Sequence, residues 1–93
     1  HPDIEPQNYN NHAIRYSSEN GHIDVVKLLL KDKRVKPEED NNFAIKYAYR
    51  NNHMKVVFLL FENINVKKEL ELNDQELYIK FNKIFINKKI KNF

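Results

Sequence analysis

The chain of 93 residues has no cysteine, no tryptophan, one glycine and three prolines. Without cysteine there is neither a disulfide nor a thiolate zinc site, so a metal would have to rest on histidine and carboxylate. The same lack fits an intracellular setting. With one glycine there is no glycine-rich phosphate loop. Long apolar runs are missing too: the longest, from Met54 to Phe61, is interrupted by Lys55 and falls far short of the ~20 residues that span a bilayer. The opening His1-Pro2-Asp3-Ile4-Glu5-Pro6 is not a basic-then-apolar leader, and the absence of an initiator methionine reads as a segment cut from a longer chain. What is present is one small domain, 41% apolar with a net charge of +3, too short for a large multi-step enzyme. A domain of this size buries only about 60–65% of the surface its unfolded chain exposes, so it needs neighbours to pack against. The 14 asparagines make any single Asn a weak functional marker, because Asn is also a common turn and cap residue.

Internal repetition organises the sequence. Residues 10–40 and 41–71, laid over one another at a period of 31, agree at 14 positions, among them Ala13/Ala44, Ile14/Ile45, Tyr16/Tyr47, Asn20/Asn51, His22/His53, Val26/Val57, Leu29/Leu60 and Val35/Val66. The offset also runs backward, setting Ile4 under Val35 and Pro6 under Pro37. Each unit reads as a short helix over about 12–19, a turn at Asn20-Gly21 or Asn51-Asn52, and a second helix over about 23–31. Gly and Asn are the residues that tolerate the left-handed backbone such a turn needs. Val25, Val26, Leu28, Leu29 and Leu30 form a stripe broad enough to predict burial on more than one side. A connector from Asp32 to Asn42 follows, broken by Pro37 and anchored by Val35. Helices this short are marginal alone and gain stability by stacking unit on unit.

The stretch Asn20-Gly21-His22-Ile23-Asp24-Val25-Val26-Lys27-Leu28-Leu29-Leu30 resembles the N-G-H-x-x-V-V-x-L-L-L segment of the ankyrin repeat, and Asn51 to Phe61 is a degenerate copy. The resemblance covers residues 1 to about 71, and the connectors are similar to those of variant arrays in amoebae and large DNA viruses. The helix start written T-P-L-H in the family reads His12-Ala13-Ile14-Arg15 and Phe43-Ala44-Ile45-Lys46 here, which removes the Thr and His hydrogen bonds of that motif. The glycine of the usual finger is also missing, so a well-formed β-hairpin is not expected. The resemblance implies an all-α helix-turn-helix solenoid fragment: a partial repeat over 1–9, repeats over 10–40 and 41–71, and a capping helix over 72–93. It also implies a non-enzymatic scaffold that binds another protein through a concave face, with no cofactor and no small-molecule substrate. Carried over by position, that face nominates Asn8, Tyr9, Asn11 and Glu19, then Asp40, Asn42 and Arg50. Tyr9 and Arg50 lead, since Tyr and Arg are enriched among binding hot spots.

All the surplus charge lies after Glu71. Residues 1–71 carry 11 basic and 11 acidic side chains, while residues 72–93 carry five and two. Asn73 is placed to cap a terminal helix, with Asp74 and Glu76 at its start and Lys88, Lys89 and Lys91 at its end, as the helix dipole favours. Leu77, Tyr78, Phe81, Ile84 and Phe85 share one face, and Ile79, Ile86, Ile90 and Phe93 share another. In the second repeat Ser18 becomes Tyr49, Lys27 becomes Phe58 and Leu30 becomes Phe61. These aromatics predict that the Leu77/Phe81/Ile84/Phe85 face lies over them as a cap, leaving the other face partly free. The alternative is a basic amphipathic helix that docks to an anionic membrane or nucleic acid, for which +3 is a small charge.

No constellation for chemistry emerges. His22 and His53 recur with the repeat and no His-x-x-x-His pair occurs, so no metal site is expected. In the resembling family this His is structural, bonding backbone near the turn. Ser17 and Ser18 lie near His22 without a strained strand-turn elbow or oxyanion-hole signature, and Ser17 reads as a small inter-helix residue. Glu38-Glu39-Asp40 reads as a solvated connector tip, with Asp40 able to cap the next helix.

Overall fold

The computed structural model describes residues 6–91 and the side chains of residues 11–89. Six helices follow one another, with no strand among the described residues: α1 Pro6–Glu19, α2 Ile23–Leu30, α3 Glu39–Arg50, α4 Met54–Phe61, α5 Ile64–Asn73 and α6 Gln75–Lys91. Helices α1 and α2 pair, as do α3 and α4; α1, α3 and α5 then line up as one layer, with α2 and α4 behind them. The result is the all-α stack expected from the 31-residue period.

The two inter-helix turns are built alike. Gly21 takes φ +73° and Asn52 φ +65°. At the first, the Gly21 N–H donates to the Ser18 carbonyl (3.2 Å) and the His22 N–H to the Ser17 carbonyl (2.8 Å); at the second, Asn52 donates to Tyr49 (3.0 Å) and His53 to Ala48 (2.8 Å). A left-handed residue with these two bonds satisfies the orphan carbonyls at the helix end. Glycine has a further reason at 21: a Cβ there would stand 2.5 Å from Nδ1 of His53 in the next repeat. The histidines do not act through a capping bond, since neither His22 nor His53 makes one with its side chain. His53 packs under the glycine of the preceding turn, and the ring of His22 lies 6.4 Å from that of Tyr16.

The connectors begin alike and part at Pro37. Asp32 accepts from the Arg34 N–H at 2.9 Å and from its guanidinium, which holds the carboxyl down at a pKa of about 2. Asn63, the equivalent of Asp32, accepts from the Asn65 N–H (2.9 Å) and the Val66 N–H (3.3 Å). Both side chains thus begin the way a helix cap begins. Pro37 then blocks a helix in the first connector, whereas Lys68 in its place lets α5 form. The apolar anchors survive the difference: Val35 is 7% exposed and Val66 is fully buried.

The start of α3 contains an unusual turn. Asp40, Asn41 and Asn42 take φ of 54°, 57° and 60° in succession, a left-handed turn that costs most residues about 1–2 kcal/mol each and that Asn and Asp tolerate best. Asp40 therefore does not cap α3 as the sequence suggested; Glu38 occupies the cap position without a side-chain bond, and Asp40 pairs instead with Arg15. Asn42 is 1% exposed and donates to the Val66 carbonyl at 3.3 Å. Asn11, 31 positions earlier and 4% exposed, accepts from the Lys36 N–H at 2.7 Å. Each repeat thus ties down the connector that follows it, a task for which the missing Thr and His bonds of the T-P-L-H start are not needed.

The core runs from Ile14 and Val26 through Ala44, Ile45, Ala48, Val56, Val57, Leu60 and Phe61 to Val66, Leu70, Phe81 and Phe85. Ser17 and its equivalent Ala48 are both buried, small residues where inner helices meet. The stripe on α2 is less buried than its breadth predicts: Val26 is covered, but Val25 and Leu28 are 44% and 66% exposed. The equivalent Val56 of α4 is 1% exposed, because α4 has neighbours on both sides, α2 on one and α5 on the other.

Helix α6 lies over the aromatics of the second repeat. Phe81 meets Tyr49 edge-on at 5.1 Å and Phe61 at 5.9 Å, and Phe85 meets Phe61 at 5.5 Å and Phe58 at 6.4 Å. Edge-to-face pairs add about 0.5–1.5 kcal/mol each beyond burial. Ile79 and Ile86 stay exposed on the opposite side; Ile90 and Phe93, assigned to that face, lie outside the described side chains. The cap of α6 is Asp74, which accepts from the Leu77 N–H at 3.3 Å, and not Asn73, which closes α5 and donates to Glu69. The lysines have partners of their own: Lys88 lies 4.1 Å over Phe58, Lys89 4.6 Å over Phe85 and Lys80 5.1 Å over Tyr49. Much of the surplus positive charge therefore serves the packing of the cap.

Candidate functional site

In α1 the side chains of Asn11, Ile14, Ser17 and Ser18 turn inward, which leaves His12, Arg15, Tyr16 and Glu19 as the outward stripe at helical spacing. In α3, Asn42, Ala44, Ile45 and Ala48 are buried, and the outward stripe is Phe43, Lys46, Tyr47 and Arg50. The two stripes correspond residue for residue at the period of 31 and lie side by side, since α1 packs along α3.

A ladder of cations and rings crosses the seam. Arg15 of α1 pairs with Asp40 and lies 5.4 Å over the Phe43 ring. Phe43 stacks on Tyr47 at 4.0 Å with the rings 20° apart, and Arg50 lies 4.6 Å over Tyr47. Each member restrains the next, so the rings and guanidinium groups are held in place before any partner arrives. Along the α1 side of the seam a notch of about 160 Å³ is lined by His12, Arg15, Tyr16, Glu19 and Phe43. Tyr16 is 60% exposed there. On the side away from α1, Lys46 stands 3.6 Å from Asp74 at the corner between α5 and α6.

The residues nominated from the sequence divide three ways. Glu19 and Arg50 stand on the seam and Asp40 at its edge, bound to Arg15. Asn11 and Asn42 are corrected: both are buried and engaged with connector backbone, so neither presents its side chain to a partner. Asn8 and Tyr9 belong to α1, and their side chains lie outside the described residues. Arg15, Tyr16, Phe43, Lys46 and Tyr47 were missed. The signal for them was the i, i+3, i+4, i+7 spacing through Glu19 and Arg50. Among the described residues no three His, Asp or Glu side chains gather closely enough to hold a metal ion.

Stacked helix pairs joined by left-handed turns, with an open seam of aromatic and basic side chains along the inner layer, define a helical repeat protein. The model for ankyrin repeats, in three copies, matches residues 1–72, and the chain belongs to the ankyrin repeat family. Repeats of this family are generally protein–protein interaction modules and typically non-enzymatic. No curated protein and no solved structure matches the chain.

Proposed function

We propose that the chain is a non-catalytic scaffold that binds a protein partner through the concave face formed by α1 and α3. The observation that carries this reading is the Arg15–Phe43–Tyr47–Arg50 ladder. Aromatic and arginine side chains are the commonest hot spots, and here Arg50 is exposed, Arg15, Phe43 and Tyr47 are half-buried, and all four are already ordered. The basic terminal helix is a cap in this reading and not a membrane or nucleic-acid anchor; the seating of Lys80, Lys88 and Lys89 on rings of the core supports that. Tyr16→Ala and Arg50→Ala are each expected to weaken partner capture about tenfold or more, as hot-spot truncations of about 1.4 kcal/mol and upward do. The thermal midpoint should move little, since both side chains are exposed. Lys55→Ala, an exposed change on α4, is the control. Equal loss of capture from the control would remove the assignment of the face.

A further inference from the structure

The same face also carries information about the chemistry of its partner, an inference that rests on α1 and α3 being the binding surface. Three permanent cations lie along it. Arg15 is paired with Asp40, and Lys46 stands 3.6 Å from Asp74. Arg50 has no carboxylate among the described residues; its guanidinium lies 4.6 Å over the Tyr47 ring and is exposed. A guanidinium restrained in this way keeps its planar fork of N–H donors for a carboxylate and loses little further freedom in binding one.

The α1 side of the seam asks for something different. The notch of about 160 Å³ is close in size to the ~150 Å³ cavity that takes up benzene, and the rings of Tyr16 and Phe43 make its walls apolar. Glu19 at its rim disfavours a second carboxylate there. The Phe43 ring lies 4.0 Å from the Tyr47 ring and the Arg50 guanidinium 4.6 Å from that same ring, so the two groups stand at most about 8.6 Å apart. In a polyproline-II segment, residues i and i+3 share a face and stand roughly 9 Å apart. The two spacings are compatible. We infer that the partner presents an extended acidic segment. A Leu- to Phe-sized side chain enters the notch, and an Asp or Glu three positions away reaches Arg50.

The test uses the full chain as bait for a random-peptide phage library, followed by affinities of the enriched peptides for the unaltered chain, Tyr16→Ala, Arg50→Glu and Lys55→Ala. Enriched peptides are expected to share an apolar residue and an acidic residue three positions apart. Arg50→Glu should weaken them tenfold or more, and replacing the peptide's acidic residue by Lys should restore binding to Arg50→Glu but not to the unaltered chain. A folding defect cannot produce that restoration. Peptides that lose affinity with Tyr16→Ala but show no acidic position would overturn the inference and leave the face intact. Peptides indifferent to both Tyr16→Ala and Arg50→Glu would overturn the inference and the face together, and a library that yields no binder would overturn the inference.

Discussion

A chain that ends at Asp74 is expected to show no cooperative thermal transition by far-ultraviolet circular dichroism and to aggregate on a sizing column. Helix α6 supplies Phe81 and Phe85, 2% and 8% exposed, each contributing about 1.5–3 kcal/mol of burial. Its removal also uncovers Phe61, which is fully buried in the folded chain, and strips the edge-on partner from Tyr49 and the tilted one from Phe58. Burial lost on both sides of that contact reaches about 5 kcal/mol or more, which equals the whole stability of many small domains. Phe61→Ala reports the same contact without shortening the chain, at an expected cost of about 3–5 kcal/mol. A truncated chain that melts within a few degrees of the full one would show that α6 is not a cap.

Asn42→Ala is expected to be the most damaging exposed-looking substitution in the sequence. It places an L-residue without a compensating amide at φ 60°, which costs about 1–2 kcal/mol. It also removes the bond to the Val66 carbonyl, worth about 1 kcal/mol. Together these lower the thermal midpoint by roughly 10–20 °C in a domain of this size. Asn42→Gly keeps the backbone conformation and loses only the bond, so it should fall between, while Asn41→Gly, at an exposed position with φ 57°, should change the midpoint little. If Asn42→Ala and Asn41→Gly melted alike, neither the left-handed turn nor the tether would matter.

Much of the architecture was legible because repetition writes the same physical solution twice. The pairing of Gly21 with Asn52 announced a left-handed turn at each inter-helix corner, and Val35 with Val66 announced an anchor under each connector. The aromatics Tyr49, Phe58 and Phe61, set where the first repeat has Ser18, Lys27 and Leu30, called for a cover, and the spacing of Phe81 and Phe85 identified it. Other features depended on contacts that a one-dimensional pattern hides. Asn11 and Asn42 look like surface residues by type, yet both are buried, and one amide atom of each is bonded to backbone 25 and 24 positions away. Helix α5 requires a residue other than proline at the position of Pro37, which Lys68 supplies, and repeat alignment treats that exchange as one mismatch among many. The outward stripe was hidden because tyrosine fits a core stripe and an exposed surface equally well; only the burial of Ile14, Ser17 and Ser18 shows which way Tyr16 points.

The assignment of the α1/α3 face is tested most directly by photo-crosslinking. A photoreactive phenylalanine analogue is placed singly at Tyr16 and Arg50 on the seam, and at Lys27 and Lys55 on the outer helices, all exposed positions. Covalent adducts to the partner should form from positions 16 and 50 and not from 27 and 55. Adducts formed chiefly from 27 and 55 would place the partner on the outer layer and contradict the account.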